Sequence, residues 1–210
     1  MCIRDSYGSE GMGLRADNLK THVMVASWAW PSYMDPEARD RGIRIATSSY
    51  TRHHVNITMC KAKANGNYIN SILALREAMD AGFEEALLLD NEGYVAEGSG
   101  ENIFLEENGE LVTPYLTSCL EGITRDSVIT LARDLGYKVT ERRITRDEVY
   151  VADEAFFTGT AAEVLPISEV DRRTIGSGGR GPVTEQLQTI YFDQVMGKRT
   201  PYPDWNTQVD

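Results

Sequence analysis

Hydrophobic and polar positions alternate between two periods along this chain. Thr21 to Trp30 (THVMVASWAW) is rich in β-branched and aromatic residues and predicts a strand, ended by Pro31. A short charged segment, Asp35 to Arg41, separates it from a second strand-like run, Ile43 to Tyr50, which Gly42 opens. From Asn67 the period lengthens. Ile69, Ile72, Leu73, Leu75, Ala78 and Met79 recur at helical spacing and predict an amphipathic helix that Gly82 closes.

Glu85 to Asp90, Tyr94 to Ala96 and Asn102 to Leu105 are separated by turn residues and read as a β-meander, with Leu111 to Thr113 as a further strand. Ile123 to Leu135 predicts a second helix, with Val128, Ile129, Ala132 and Leu135 on one face and Gly136 as its stop. Tyr137 to Ile144 is a strand with charged alternates, and Thr145-Arg-Asp-Glu148 resembles a capping box. Glu154 to Thr158 reads as a buried strand, whereas Val164 to Ile175, which contains Pro166, reads as edge strands. Pro182 and Gly197 bracket a third helix, and the tail from Arg199 is expected to be poorly ordered. No internal repeat or low-complexity tract interrupts residues 14–198, which are expected to form one α/β domain with a mixed sheet.

Composition narrows the function classes. A formal charge of −11 in 210 residues argues against nonspecific binding to nucleic acid or to an anionic membrane. No apolar run reaches the roughly 20 residues that a membrane span needs, and the N-terminus lacks the apolar core of a secretory signal. Cys2, Cys60 and Cys119 are odd in number and have no metal-ligand spacing, which fits free thiols in a cytoplasmic protein. Of the histidines, His53 and His54 are adjacent, so on a strand they point to opposite faces; no metal is expected.

Four small features carry candidate chemistry. The first is Lys61-Ala-Lys63 ahead of Tyr68 at a helix start. A lysine there opposes the positive end of the helix dipole, and burial would make it an amine nucleophile; a surface lysine in a turn is the plain alternative. The second is Glu97, a carboxylate between a strand end and two glycines, with a solvated turn glutamate as its alternative. The third is Gly122-Ile123-Thr124, where unbonded N–H groups and a hydroxyl at a helix start suit a phosphate; otherwise Thr124 merely caps its helix. The fourth is Gly159-Thr160-Ala161-Ala162, a turn leaving a strand. Together, an imine-forming lysine, a tyrosine for a phenolic oxygen, an acid for a ring nitrogen and two phosphate turns describe a site for pyridoxal 5'-phosphate.

The runs Lys63-Ala-Asn-Gly-Asn-Tyr68, Glu97-Gly-Ser-Gly-Glu-Asn-Ile-Phe104, Gly122-Ile-Thr-Arg-Asp126 and Gly159-Thr-Ala-Ala-Glu163 closely resemble the class IV, fold-type IV aminotransferases, and among them the branched-chain amino acid aminotransferases. The resemblance covers about Gly11 to Gly197. It implies the large C-terminal domain of that fold, a mixed sheet or pseudo-barrel with flanking helices. It also implies that Lys63 rather than Lys61 forms the imine, with Tyr68 at the ring oxygen, Glu97 at the ring nitrogen, Leu120 packed on the ring, and Ile123, Thr124, Gly159 and Thr160 around the phosphate. Substrate-side positions would be Trp30, Tyr33, Gly100, Ala161 and Met12. The implied reaction is transamination of leucine, isoleucine and valine, with 2-oxoglutarate as acceptor, in a homodimer or larger homo-oligomer.

Departures from the pattern concern the N-terminus. Residues 1–13 are expected to be the remnant of a smaller domain, Met1 to Ser6 does not resemble family sequence, and Arg4 is not assigned the family's phosphate-binding arginine role. The chain by itself is expected to lack activity. A D-amino acid aminotransferase or aminodeoxychorismate lyase of the same fold is the rival enzyme. A non-catalytic dimerisation or binding remnant is the rival from another class.

Overall fold

The computed structural model describes residues 2–8, 10–11, 14–15, 17–29 and 35–207, in two compact units, Met1–Tyr33 and Met34–Asp210. In the first unit, β1 (Cys2–Tyr7) pairs antiparallel with β2 (Thr21–Ala26) in unbroken register, Cys2 opposite Ala26 and Tyr7 opposite Thr21. The strand expected from Thr21 is therefore present, ends at Ala26, and belongs to this unit.

The second unit runs α1 (Ala38–Arg41), β3 (Ile43–Thr47), α2 (Tyr68–Asp80), β4 (Glu85–Leu89), β5 (Val95–Gly98), β6 (Asn102–Glu107), β7 (Glu110–Thr113), α3 (Ile123–Asp134), β8 (Lys138–Glu141), α4 (Arg146–Val151), β9 (Glu154–Gly159), β10 (Glu163–Val170), β11 (Arg173–Thr174) and α5 (Pro182–Val195). The sheet order is β5-β4-β3-β10-β9-β6-β7-β8, with β11 on β10. It is mixed: β3 lies parallel to β4 and β10, and β7 to β8, while the other pairs are antiparallel. The two ends of this order meet. Val95 N–H donates to the carbonyl of Ile144, just past β8, at 2.9 Å, so the sheet curls into the expected pseudo-barrel.

Apolar strands with both faces covered explain why the runs read as continuous rather than alternating. Ile103, Leu105, Phe157 and Leu87 point into the curled sheet with Ile43, Ile45, Leu165 and Ile167. Their neighbours Phe104 and Phe156 point outwards beneath α3 and α5, stacked at 5.1 Å, and pack with Val128, Ile129 and Leu187. Leu88 points to a third cluster, against α2. Helix boundaries follow local chemistry. Gly82, Gly136 and Gly197 take left-handed φ of 86°, 88° and 69° just past α2, α3 and α5. The expected capping box is present at the start of α4, where Thr145 N–H donates to Glu148 Oε2 at 2.6 Å.

Four expectations are corrected. The predicted meander is two hairpins, β4–β5 and β6–β7. Between β5 and β6 the chain turns at Gly98, whose N–H donates to the Glu101 carbonyl at 2.7 Å, and the two strands part to opposite regions of the sheet order. The segment from Val164 is not an edge. β10 is central and buried, and Pro166 is tolerated because it is the last residue registered with β9 before Ile167 passes to β3. The apolar stripe of α2 faces outwards: Ile69, Ile72, Leu73 and Met79 are exposed, while the small residues Ser71, Ala74 and Ala78 meet β4. The tail to Thr207 is packed. Gln194 is buried, so its amide needs partners, and it finds them in the Tyr202 carbonyl at 2.7 Å, Asn206 Oδ1 at 2.6 Å and the Tyr202 N–H at 3.0 Å.

Candidate active site

One cleft gathers residues from four separate stretches. Lys63 and Tyr68 come from the approach to α2, Glu97 and Gly100 from the end of β5 and its turn, Leu120 from the segment before α3, and Arg52 from the segment after β3. Cys60, Ala62, Asn67 and Ser99 complete the lining. Asn67 shapes the entry to α2, since its side-chain amide donates to the carbonyls of Met59 and Ala62 at 3.2 and 3.0 Å. Lys63 stands exposed at the lip of the cleft rather than buried, and Tyr68 is half-buried as the first residue of α2.

Glu97 is the buried end of the cleft. Burial raises its carboxyl to about 7, against the opposing pull of the Arg52 charge and of the Leu120 N–H. Arg52 Nε lies 2.7 Å from Glu97 Oε1. The other oxygen, Oε2, accepts from Leu120 N–H at 3.1 Å and from Asn102 Nδ2 at 3.4 Å. Asn102 Nδ2 also donates to the Leu120 carbonyl at 2.9 Å, so one amide braces the acid and the residue beside it. Behind Glu97 lie two more buried carboxyls. Glu101 is raised to about 8 by burial and by the charge of Glu85, which burial also raises.

The two proposed phosphate turns adjoin this cleft through single intermediaries. α3 begins at Ile123 with Gly122 as its cap residue, and no side chain caps it. Thr124 lies inside the first turn, so it does not act as the helix cap. The first helical bond runs from Asp126 N–H to the Gly122 carbonyl at 3.0 Å, leaving the N–H groups of Ile123, Thr124 and Arg125 ahead of it. Gly122 fits closely: a Cβ there would lie 2.1 Å from Asn102 Oδ1. A Cβ at Gly159 would lie 3.6 Å from the Gly100 carbonyl, which sets the turn Gly159–Ala162 beside the cleft. Thr160 and Ala161 are exposed on that turn. Burial raises the Tyr191 hydroxyl, with Thr124 acting against that rise and the charge of Glu163 adding to it, so the two turns flank one tyrosine.

Of the site residues expected from sequence, Lys63, Tyr68, Glu97, Gly100 and Leu120 share the cleft, and Ile123, Thr124, Gly159, Thr160 and Ala161 lie on the two adjoining turns. Met12, Trp30 and Tyr33 lie outside the described residues. Sequence reasoning missed Arg52 and Asn102. Arg52 sits in an irregular stretch with no motif, and Asn102 lies within the run Glu97 to Phe104 without a role assigned to it there. Lys61 also acquires a definite task. Its Nζ donates to the Leu116 carbonyl and, at 3.2 Å, to the Cys119 carbonyl, tying down the segment that leads to Leu120. The residues present fit pyridoxal 5'-phosphate: a buried acid for a ring nitrogen, an accessible amine at the lip, and an uncapped helix start with a buried hydroxyl.

Comparison with known proteins places this geometry. The family model for "Amino-transferase class IV" matches residues 5–170. A branched-chain-amino-acid aminotransferase of Pseudomonas aeruginosa is 63% identical over 203 residues, which are 97% of this chain and 66% of the relative. Among solved structures, the T.th. branched-chain amino acid aminotransferase with pyridoxamine 5'-phosphate superposes with a TM-score of 0.94 at 50% identity, covering 99% of this chain and 69% of that one. The same enzyme complexed with N-(5'-phosphopyridoxyl)-L-glutamate gives 0.92 at 49% identity, covering 99% and 68%. The chain thus spans about 66% of the length of the Pseudomonas relative.

Proposed function

We propose, on the premise that the chain belongs to the class IV aminotransferases, that it carries the cofactor site of a branched-chain amino acid aminotransferase acting on L-leucine, L-isoleucine and L-valine with 2-oxoglutarate as acceptor. The observation that carries this reading is the convergence of Lys63, Tyr68, Glu97, Gly100 and Leu120 on one cleft. When bound, pyridoxal 5'-phosphate supplies an aldehyde that condenses with amines and a ring that takes up carbanion electrons.

The chain's residues divide the remaining work. Lys63 Nζ would be the amine that holds the cofactor, and it is the amine that would take up and return a proton at the substrate Cα. Glu97, aimed by Asn102 and the Leu120 N–H, would be the acid for the ring nitrogen and would keep a proton there. Tyr68 would serve the ring oxygen, and Leu120 would pack on the ring. Thr124, the N–H groups at the start of α3, and Thr160 hold the phosphate, where helix dipole and unbonded donors both favour an anion. Gly100, which has nothing within 4 Å of a Cβ position, leaves room on the substrate side, and Ala161 presents backbone there.

The preference for branched-chain substrates is supported by the relatives' names, and 2-oxoglutarate as acceptor by the glutamate-bearing complex of the solved neighbour. The reading includes a homodimer, which the outward apolar stripe of α2 suits, and a cytoplasmic site of action, which the free thiols of Cys60 and Cys119 suit. No helix among the described residues is long and apolar enough to cross a membrane. The test is to add pyridoxal phosphate, reduce with borohydride and map the adduct by peptide mass spectrometry. An adduct on Lys63 is expected, and any oxo acid released comes from L-valine rather than from D-alanine or aminodeoxychorismate. An adduct elsewhere, or none, rejects the reading.

A further inference from the structure

We infer that Arg52 is a positioning residue for the proposed reaction: it anchors the carboxyl group of Glu97 and fixes that acid against the helix bearing Tyr68. The inference rests on the cofactor reading above and extends it to a residue to which no motif assigns a role.

Three observations carry it. First, Arg52 is nearly buried, yet it lines the cleft rather than the sealed core. A guanidinium so placed is costly unless each of its directions is used. Second, two elements use it. Its Nε lies 2.7 Å from Glu97 Oε1 on β5, and its Nη1 donates to Ser71 Oγ at 3.0 Å on α2. Its own backbone N–H donates to the Leu89 carbonyl at 2.7 Å, so the base of the side chain is also fixed, to β4. Third, Ser71 lies on the small-residue face by which α2 meets the sheet, on the helix that begins at Tyr68. The guanidinium thus spans from the ring acid, which it meets as an ion pair, to the helix of the ring-oxygen tyrosine, to which it donates a hydrogen bond, a reach across one rigid plane that a lysine ammonium does not reproduce.

A purely structural ion pair would need no such link, and buried pairs of that kind are weak stabilisers compared with apolar packing. The charged and titratable groups around Glu97 are Arg52, Lys61, Glu101 and the thiol of Cys119. Arg52 is the one in contact with the carboxylate, and its charge is the largest influence opposing the effect of burial. Without it, no charged group in contact with the carboxyl would oppose burial, and Glu97 would keep its proton to a higher pH.

The test uses the whole chain with Arg52→Met, Arg52→Lys and Ser71→Ala. Without cofactor, carbon-13 glutamate spectra, assigned with Glu97→Gln, report the Glu97 titration midpoint. Arg52→Met is expected to raise it by ~1–3 pH units, and Arg52→Lys by less. With pyridoxal phosphate, absorbance titration is expected to show about tenfold or greater loss of affinity in Arg52→Met, with partial recovery in Arg52→Lys. Ser71→Ala, which folds around a smaller change, is expected to move both readouts in the same direction by less, and it carries the test should Arg52→Met not fold. An unmoved Glu97 midpoint, or equal cofactor affinity in folded variants, overturns the inference. Absence of a Lys63 adduct in the unaltered chain overturns the cofactor reading itself, and is seen without any variant.

Discussion

Lys61 Nζ donates to the carbonyl of Cys119 across 3.2 Å, and this bond ties the segment before Leu120 to the stretch that presents Lys63. Two lysines separated by one alanine therefore do different things. One is spent on carbonyls, and the other stands at the lip of the cleft. Lys63→Ala is expected to abolish the borohydride adduct with pyridoxal phosphate. Lys61→Ala should retain it while lowering the thermal midpoint, because carbonyls near Cys119 lose their donor. Peptide mapping and a melting curve on each variant check both halves; the reverse assignment would show the register to be wrong.

Thr124→Val keeps shape and removes the hydroxyl at the start of α3. Loss of a hydrogen bond to a charged group is worth ~1.5–3 kcal/mol, so affinity for pyridoxal phosphate should fall roughly tenfold to a hundredfold. Affinity for pyridoxal, which has no phosphate, should hardly change. Fluorescence titration with both compounds separates a phosphate role from a general loosening of the helix.

Buried acids give the chain an unusual pH dependence. Glu97 and Glu101 keep their protons to about 7 and about 8, raised by burial, whereas their unperturbed value is 4.5. Between those values the folded chain binds more protons than the unfolded chain. The stability they contribute is complete below 4.5 and is lost as pH rises through about 7 and about 8. The thermal midpoint, measured without cofactor, is expected to fall across that window. Glu101→Gln, neutral at every pH, should flatten the decline; a flat profile in the unaltered chain would refute the account.

Phe157 lies inside the curled sheet and is fully buried, so Phe157→Ala should cost ~3–5 kcal/mol in denaturant melts. Ile72→Glu, on the exposed stripe of α2, should leave the stability of a monomer within about 0.5 kcal/mol. The same change should shift sedimentation towards monomer if a second copy covers that stripe. Unchanged sedimentation would place the dimer contact elsewhere.

Much of the candidate site is legible in the sequence because its pieces are local. A lysine five residues before a tyrosine at a helix start, a glutamate beside paired glycines, and a Gly-Ile-Thr helix opening each carry chemistry within a few positions. What joins them is not legible. Arg52 has no pattern around it, and its use depends on two partners, Glu97 and Ser71, far along the chain. Asn102 belongs to the run that starts at Glu97, but only the pairing of its amide with Glu97 and Leu120 reveals it as a brace.

The same division holds for the fold. Periodicity, glycine stops and the proline at the start of α5 determined the helices by themselves, since each rests on backbone rules spanning one or two turns. The three-dimensional structure decided which faces those elements bury. α2 turns its small residues inward because Ala74 and Ala78 let it lie close on β4, and the larger residues that looked like a core stripe are left outside. β10 is central although it contains a proline, because Pro166 sits where the strand changes partners from β9 to β3. Strand pairing is a long-range relation that no local period encodes. The placement of Glu97 follows from the same kind of long-range relation, set by a guanidinium that arrives from another part of the chain.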